Sequence, residues 1–184
     1  VRSDCSGELK AAMKTLRLTH YTSTPYRPQS NGDGEALVKM VVEGTRSVLH
    51  QSGLPHSFWP QAAKFFCFLA NVMNKFQETG SDLEPEYPYV AAYGEQCNAV
   101  LWPFGAKCMV HLPNQTDDRL KFETKARDGL FMGYDQQPGG KWSGDYQVIL
   151  MSDLDPERPE RIPHTHRIRG IKTEPYGQKP CFPL

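Results

Sequence analysis

The sequence changes period near Phe104, and that change restricts the fold to a helical part followed by a strand-rich part. Upstream, Leu37, Val38, Val41, Val42, Thr45, Val48 and Leu49 recur at helical spacing, with Glu35, Lys39, Glu43 and Arg46 on the opposite face. Asn31 or Asp33 can cap that helix, and Gly53 can end it. A second helix over 57–75 is apolar nearly all round (Phe58, Trp59, Ala62, Ala63, Phe65, Phe66, Leu69, Val72), which predicts burial. Before both helices, residues 1–4 read as the end of a strand, 9–18 as a helix, 19–24 as a short strand and 25–34 as a loop. After Phe104, apolar runs at 106–112, 129–134, 146–151 and 160–168 alternate with turn clusters such as Pro113-Asn114 and Pro138-Gly139-Gly140. That punctuation predicts a small antiparallel barrel-like domain. The fold class is therefore α+β: an α/β part over 1–76, an acidic linker with a short helix over 77–103, a β-barrel-like domain over 104–170 and a Pro-rich tail over 171–184.

Charge is balanced, 21 basic against 21 acidic residues, which excludes a uniformly cationic nucleic-acid coat. Any affinity for phosphates must come from local patches. One such patch is Arg161, Arg167, Arg169 and Lys172, a stretch with no acid between its ends. The five cysteines are odd in number and form no CxxC pair, which fits reduced thiols and a nuclear or cytoplasmic location. No stretch approaches the roughly 20 apolar residues of a membrane span. The chain opens on Val1 in mid-element, so a piece of a larger protein is expected.

Phosphoryl transfer by two metal ions needs carboxylates converging on one point, because each ion offsets charge on the attacking or leaving oxygen. A carboxylate at a strand end and another on the first turn of a neighbouring helix could meet that need, and Asp4 and Glu35 have those placements. Each also has a plain structural role. An Asp at a strand end forms turns, and a Glu in a first helical turn complements the helix dipole.

The words around these residues point one way. Ser3-Asp4-Cys5-Ser6-Gly7-Glu8-Leu9 resembles the segment around the second catalytic Asp of copia-type retrotransposon integrases. Tyr26-Arg27-Pro28-Gln29-Ser30-Asn31-Gly32-Asp33-Gly34-Glu35 resembles the segment that carries their catalytic Glu, and its Pro-Gln-Ser stretch is similar to the active-site loop of retroviral integrases. Leu54-Pro55-His56-Ser57-Phe58-Trp59 with Ala62-Ala63 and Asn71, then Pro88-Tyr89 with Tyr93-Gly94, resemble later elements of the same family. So do Phe104-Gly105-Ala106 with Val110-His111 and Pro113, and Gly129-Leu130-Phe131-Met132-Gly133-Tyr134. The matches keep the family's order over about residues 2–150.

The resemblance implies the C-terminal half of an RNase H-like core with a D,D,E triad, in which Asp4 and Glu35 are catalytic and bind Mg²⁺ (or Mn²⁺). The family's first Asp and its zinc-binding domain have no counterpart in these residues. Thirty residues separate Asp4 from Glu35, a few fewer than is usual, with the shortening placed around 10–17, and Ala36 stands where the family often has Arg.

Lys39 lies one turn past Glu35, about 6 Å along the axis. It can contact DNA or pair with Glu35. Gln29 and Asn31 carry amides suited to base edges or sugars, or to turn chemistry. The aromatic residues of 57–75 fit core packing better than stacking on bases. His164 and His166 lack a third ligand at metal-binding spacing. With Arg161, Arg167, Arg169 and Lys172 as further DNA contacts, the expected function is DNA integration by a full-length, homo-oligomeric enzyme whose fragment is inactive alone. The alternatives are a non-catalytic DNA- or chromatin-binding remnant of a decayed element and a free-standing RNase H-like nuclease.

Overall fold

In the computed structural model, which describes residues 2–3, 7–17, 21–22, 32–76, 84–111, 126–172, 180 and 182, the chain divides between Glu43 and Gly44. The division falls inside a helix.

The first unit is a β–α–β crossover. Arg2–Ser3 (β1) pairs in parallel with Tyr21–Thr22 (β2), Arg2 opposite Tyr21 and Ser3 opposite Thr22. Gly7–Thr15 (α1) lies between them in sequence, as a parallel pair requires. This helix starts and ends before the expected 9–18. Arg17, at φ 53°, takes a left-handed conformation just past the helix end. Gly32–Ser52 (α2) begins earlier than expected, so Asp33 stands inside the helix. Asn31 lies outside the described residues. Only the far end of the expected apolar stripe is buried: Thr45 and Leu49 are covered, whereas Leu37, Val38 and Val42 face solvent.

The second unit opens with the last turns of α2. Gly53, at φ 71°, donates its N–H to Leu49 O and ends the helix as its sequence position suggested. A 3₁₀ turn, His56–Phe58, leads into Trp59–Met73 (α3), with Pro60 in its first turn where no intrahelical N–H is lost. The helix is not buried all round. One face, Ala62, Phe65 and Phe68, is covered, while Trp59 and Met73 are exposed. The segment expected as a linker holds Pro88–Tyr93 (α4), closed by Gly94 in the left-handed region.

Five antiparallel strands follow: Lys107–His111 (β3), Ala126–Gln136 (β4), Trp142–Leu150 (β5), His166–Ile168 (β6) and Ile171–Lys172 (β7), in the order β6-β5-β4-β3-β7. The turn between β4 and β5 is the expected Pro138-Gly139-Gly140, with both glycines at positive φ. The predicted strand over 160–168 shrinks to three residues, since Pro163 removes a ladder donor. Ile171 and Lys172, expected in the tail, are the fifth strand.

The barrel-like domain is corrected to an open sheet. Among the described residues no ladder joins β6 to β7, the two edges. They are nonetheless consecutive in the chain, so Ile168 and Ile171 can be no more than about 11 Å apart, three Cα steps. The sheet is thus strongly curled. Residues 129–134 of β4 are buried on both faces. One side meets α3, where Phe68 stacks on Tyr134 at 4.3 Å and Phe65 lies edge-on to Phe131 at 6.1 Å. The strap of residues 84–103, which carries α4, is joined to the sheet by tyrosine hydroxyls: Trp102 N donates to Tyr134 Oη (3.1 Å), Val100 N to Tyr146 Oη (3.2 Å) and Trp142 N to Tyr89 Oη (3.2 Å). No helix of the described residues is long and apolar enough to cross a membrane.

Candidate functional site

Glu35 occupies the first turn of α2 and is exposed. Among the described residues no cation pairs with it. Lys39, one turn on, turns instead toward Glu43 at 3.9 Å, with both side chains well exposed. A pair of that kind is worth only a few tenths of a kcal/mol, so Lys39 is readily drawn to another anion. Ser3 ends β1, and Asp4 follows it in sequence. Asp4, Gln29 and Asn31 themselves lie outside the described residues. A hard divalent cation prefers carboxylate oxygen, and an accessible carboxylate without a competing cation is the donor such an ion takes. Glu35 fits as one ligand of that kind. Among the described residues, no three His, Cys, Asp or Glu side chains are grouped to hold a metal.

The basic stretch 161–172 is divided between a turn and the two edge strands of the curled sheet. Arg161 is exposed and follows a turn in which its N–H donates to Arg158 O. Arg167 and Arg169 belong to the β6 edge, whereas Lys172 pairs through β7 with Met109 at the other edge. Nor is the patch free of acid in three dimensions. Arg167 Nη2 lies 3.0 Å from Asp135 Oδ2 and 3.1 Å from Asp145 Oδ2, and Arg169 Nε lies 3.2 Å from Asp145 Oδ1. Ser143 Oγ donates to Asp135 Oδ2 (2.8 Å), and Gln147 Nε2 to Asp135 Oδ1 (3.4 Å). Asp135 and Asp145 were missed because the signal is strand register. Gln147 faces Arg167 and Tyr146 faces Ile168, which sets Asp145 across from Arg169.

His166 Nε2 is 3.6 Å from Asp153 Oδ2, and the His164 and His166 rings meet edge to face at 4.9 Å. Buried thiol and phenol groups belong to the core. Burial, with Asp128 nearby, pushes the Cys108 thiol up to about 12, and burial raises the Tyr134 phenol.

No family model matches the chain, and no solved structure matches it. It is 30% identical over 146 residues to the retrovirus-related Pol polyprotein from transposon TNT 1-94 of Nicotiana tabacum, a match covering 76% of this chain and 10% of that protein. The Pol polyproteins from transposons RE2 and RE1 of Arabidopsis thaliana are 29% and 28% identical over 136 residues, 72% of this chain and 9% of each relative. The chain thus spans about a tenth of the length of the curated relatives it matches. With the ordered motifs from Asp4 to Tyr134, these likenesses identify it: the chain belongs to the copia-type, retrovirus-related Pol polyproteins of transposable elements.

Proposed function

We propose that this part of the Pol polyprotein is integrase: the C-terminal half of an RNase H-like core, followed by a β-rich domain that binds DNA. The observation that carries the reading is Glu35, an exposed carboxylate in the first turn of a long helix, without a cation partner among the described residues. It follows a parallel β–α–β unit whose first strand ends one residue before Asp4. In this reading Asp4 and Glu35, with an Asp from elsewhere in the polyprotein, hold Mg²⁺ (or Mn²⁺), which when bound supplies charge neutralisation to an in-line displacement at phosphorus. Lys39, Gln29 and Asn31 position the DNA end. Arg161, Arg167, Arg169 and Lys172 contact target or element DNA through its phosphates, which fixes register without reading sequence. The exposed Leu37, Val38 and Val42 supply apolar surface for the rest of the core, and the full-length enzyme acts as a homo-oligomer.

The test is strand transfer. In an integrase containing the whole catalytic region, Glu35→Gln abolishes joining of DNA ends and leaves the melting temperature unchanged, because the carboxylate supports no contact among the described residues. The 184-residue chain alone neither joins nor cleaves DNA. Joining that survives Glu35→Gln, or EDTA-sensitive joining by this chain alone, overturns the assignment.

A further inference from the structure

On the outward face of β4, β5 and β6, residues Asp135, Ser143, Asp145, Gln147, Arg167 and Arg169 form one connected polar network. Alternation along β5 places Ser143, Asp145 and Gln147 on that face while Tyr146 and Val148 turn inward and are buried. The charges are unequal in exposure. The Asp135 and Asp145 side chains are only 15% and 20% exposed, but those of Arg167 and Arg169 are 61% and 83% exposed. The acids therefore lie beneath, and the guanidiniums lie above them in solvent.

We infer that Asp145, seconded by Asp135, is a positioning residue that holds Arg167 and Arg169 side by side as a preformed clamp for a DNA phosphodiester. Two guanidiniums so close would repel one another without a carboxylate between them. Asp145 supplies it, giving one oxygen to each arginine. Arg169 is held through Nε, which leaves both of its Nη groups free to donate, and Arg167 is held through Nη2 alone, which leaves Nε and Nη1. A guanidinium keeps its planar fork of donors whichever edge is engaged. Each immobilised long side chain also removes part of the ordering cost of binding. The inference rests on the reading of this sheet face as a DNA contact.

Simple electrostatics predicts the opposite sign. Two arginines and two aspartates sum to zero, so neutralising an aspartate should tighten binding and steepen its salt dependence. The test uses the full 184-residue chain and a short labelled duplex, titrated by fluorescence anisotropy at several salt concentrations. Wild type is compared with Asp145→Asn, Asp145→Glu, Asp135→Asn and the double variant Arg167→Ala/Arg169→Ala, with a melting curve for each.

Asp145→Asn is expected to weaken binding about tenfold, the loss of two preordered side chains, with melting within a few degrees of wild type. Asp145→Glu recovers part of the affinity, and Asp135→Asn shows a smaller loss because only Arg167 is released. The double arginine variant binds most weakly and with a shallower salt slope. If that variant binds as wild type does, β6 does not contact DNA, and the reading beneath the inference fails with it. If it binds weakly while Asp145→Asn binds equally or more tightly, β6 contacts DNA but Asp145 is only a counter-charge, and the inference alone is overturned.

Discussion

Tyr134 shows how one side chain can join three layers. Its ring lies between Phe68 of α3 and the sheet residues Phe131 and Tyr146, and its hydroxyl serves the strap, accepting from Trp102 N and donating to Val100 O at 3.3 Å. Tyr134→Phe keeps the ring but takes the partner from the part-buried Trp102 N–H and Val100 carbonyl, so it should cost about 0.5–1.5 kcal/mol per bond in urea unfolding. A cost near zero would mean that water replaces the hydroxyl.

Cys108 gives a pH signature at the same scale. Its thiol is raised from 9.0 to about 12 in the folded chain, so the neutral form is favoured by folding. Stability is therefore complete below about pH 9 and declines toward pH 12, by up to about 1.4 kcal/mol per pH unit, with Tyr134 adding to the loss above its ordinary 10.0. Melting curves between pH 8 and 11 should show the decline, and Cys108→Ala should make it shallower. A flat profile would place the thiol in contact with water. Neither role could be read from composition, because burial of a thiol or phenol depends on what packs over it. Glu35 was more legible: its place in a first helical turn, opposite the apolar stripe, already implied an accessible carboxylate.

At the scale of elements, close approaches decide where the chain tolerates change. Gly94 and Gly105 both have positive φ, 70° and 76°. A Cβ on Gly94 would meet nothing within 4 Å, but one on Gly105 would lie 2.6 Å from Ser52 Cβ. Ser52 cannot yield easily. It is buried, its hydroxyl donates to Leu49 O at 2.9 Å, and it accepts from Leu54 N at 3.2 Å. Gly94→Ala should therefore cost about 1–2 kcal/mol of left-handed strain. Gly105→Ala adds about 1–3 kcal/mol of overpacking. Equal midpoints for the two variants in guanidinium would show that the 104–106 turn does not press on the end of α2.

Helical and strand periods were legible because each is local, and α2, α3, β3, β4 and β5 lie close to where periodicity put them. What periodicity cannot give is which neighbour covers a face. The α2 stripe runs from Leu37 in the sequence, but of its residues only Thr45 and Leu49 are buried. The helix over 57–75 was expected to be enclosed and keeps Trp59 in solvent. Pairing across strands was equally hidden, which is why an acid-free run of sequence became an arginine–aspartate network.

For the whole molecule, the question is which length of chain folds by itself. The sequence suggests cutting near residue 101, just before the strand-rich part begins at Phe104. The core does not stop there. Phe65 and Phe68 of α3 are buried with Phe104, Phe131 and Tyr134 in one cluster, and tyrosine hydroxyls from both sides join the sheet to the strap of residues 84–103. Burying one such aromatic side chain contributes about 1.5–3 kcal/mol from its apolar area. A domain of this size is stable by about 5–15 kcal/mol in total. Removing α3 thus removes two large aromatic contributions and uncovers β4 along a face rich in Phe and Tyr. A fragment of residues 101–184 should show no cooperative melting and should bind an apolar dye. A fragment of residues 44–184, which keeps the whole compact unit, should melt cooperatively close to the full chain. Circular dichroism on the two fragments checks this directly. Cooperative melting of 101–184 near the temperature of 44–184 would show that α3 lies on a sheet already stable without it.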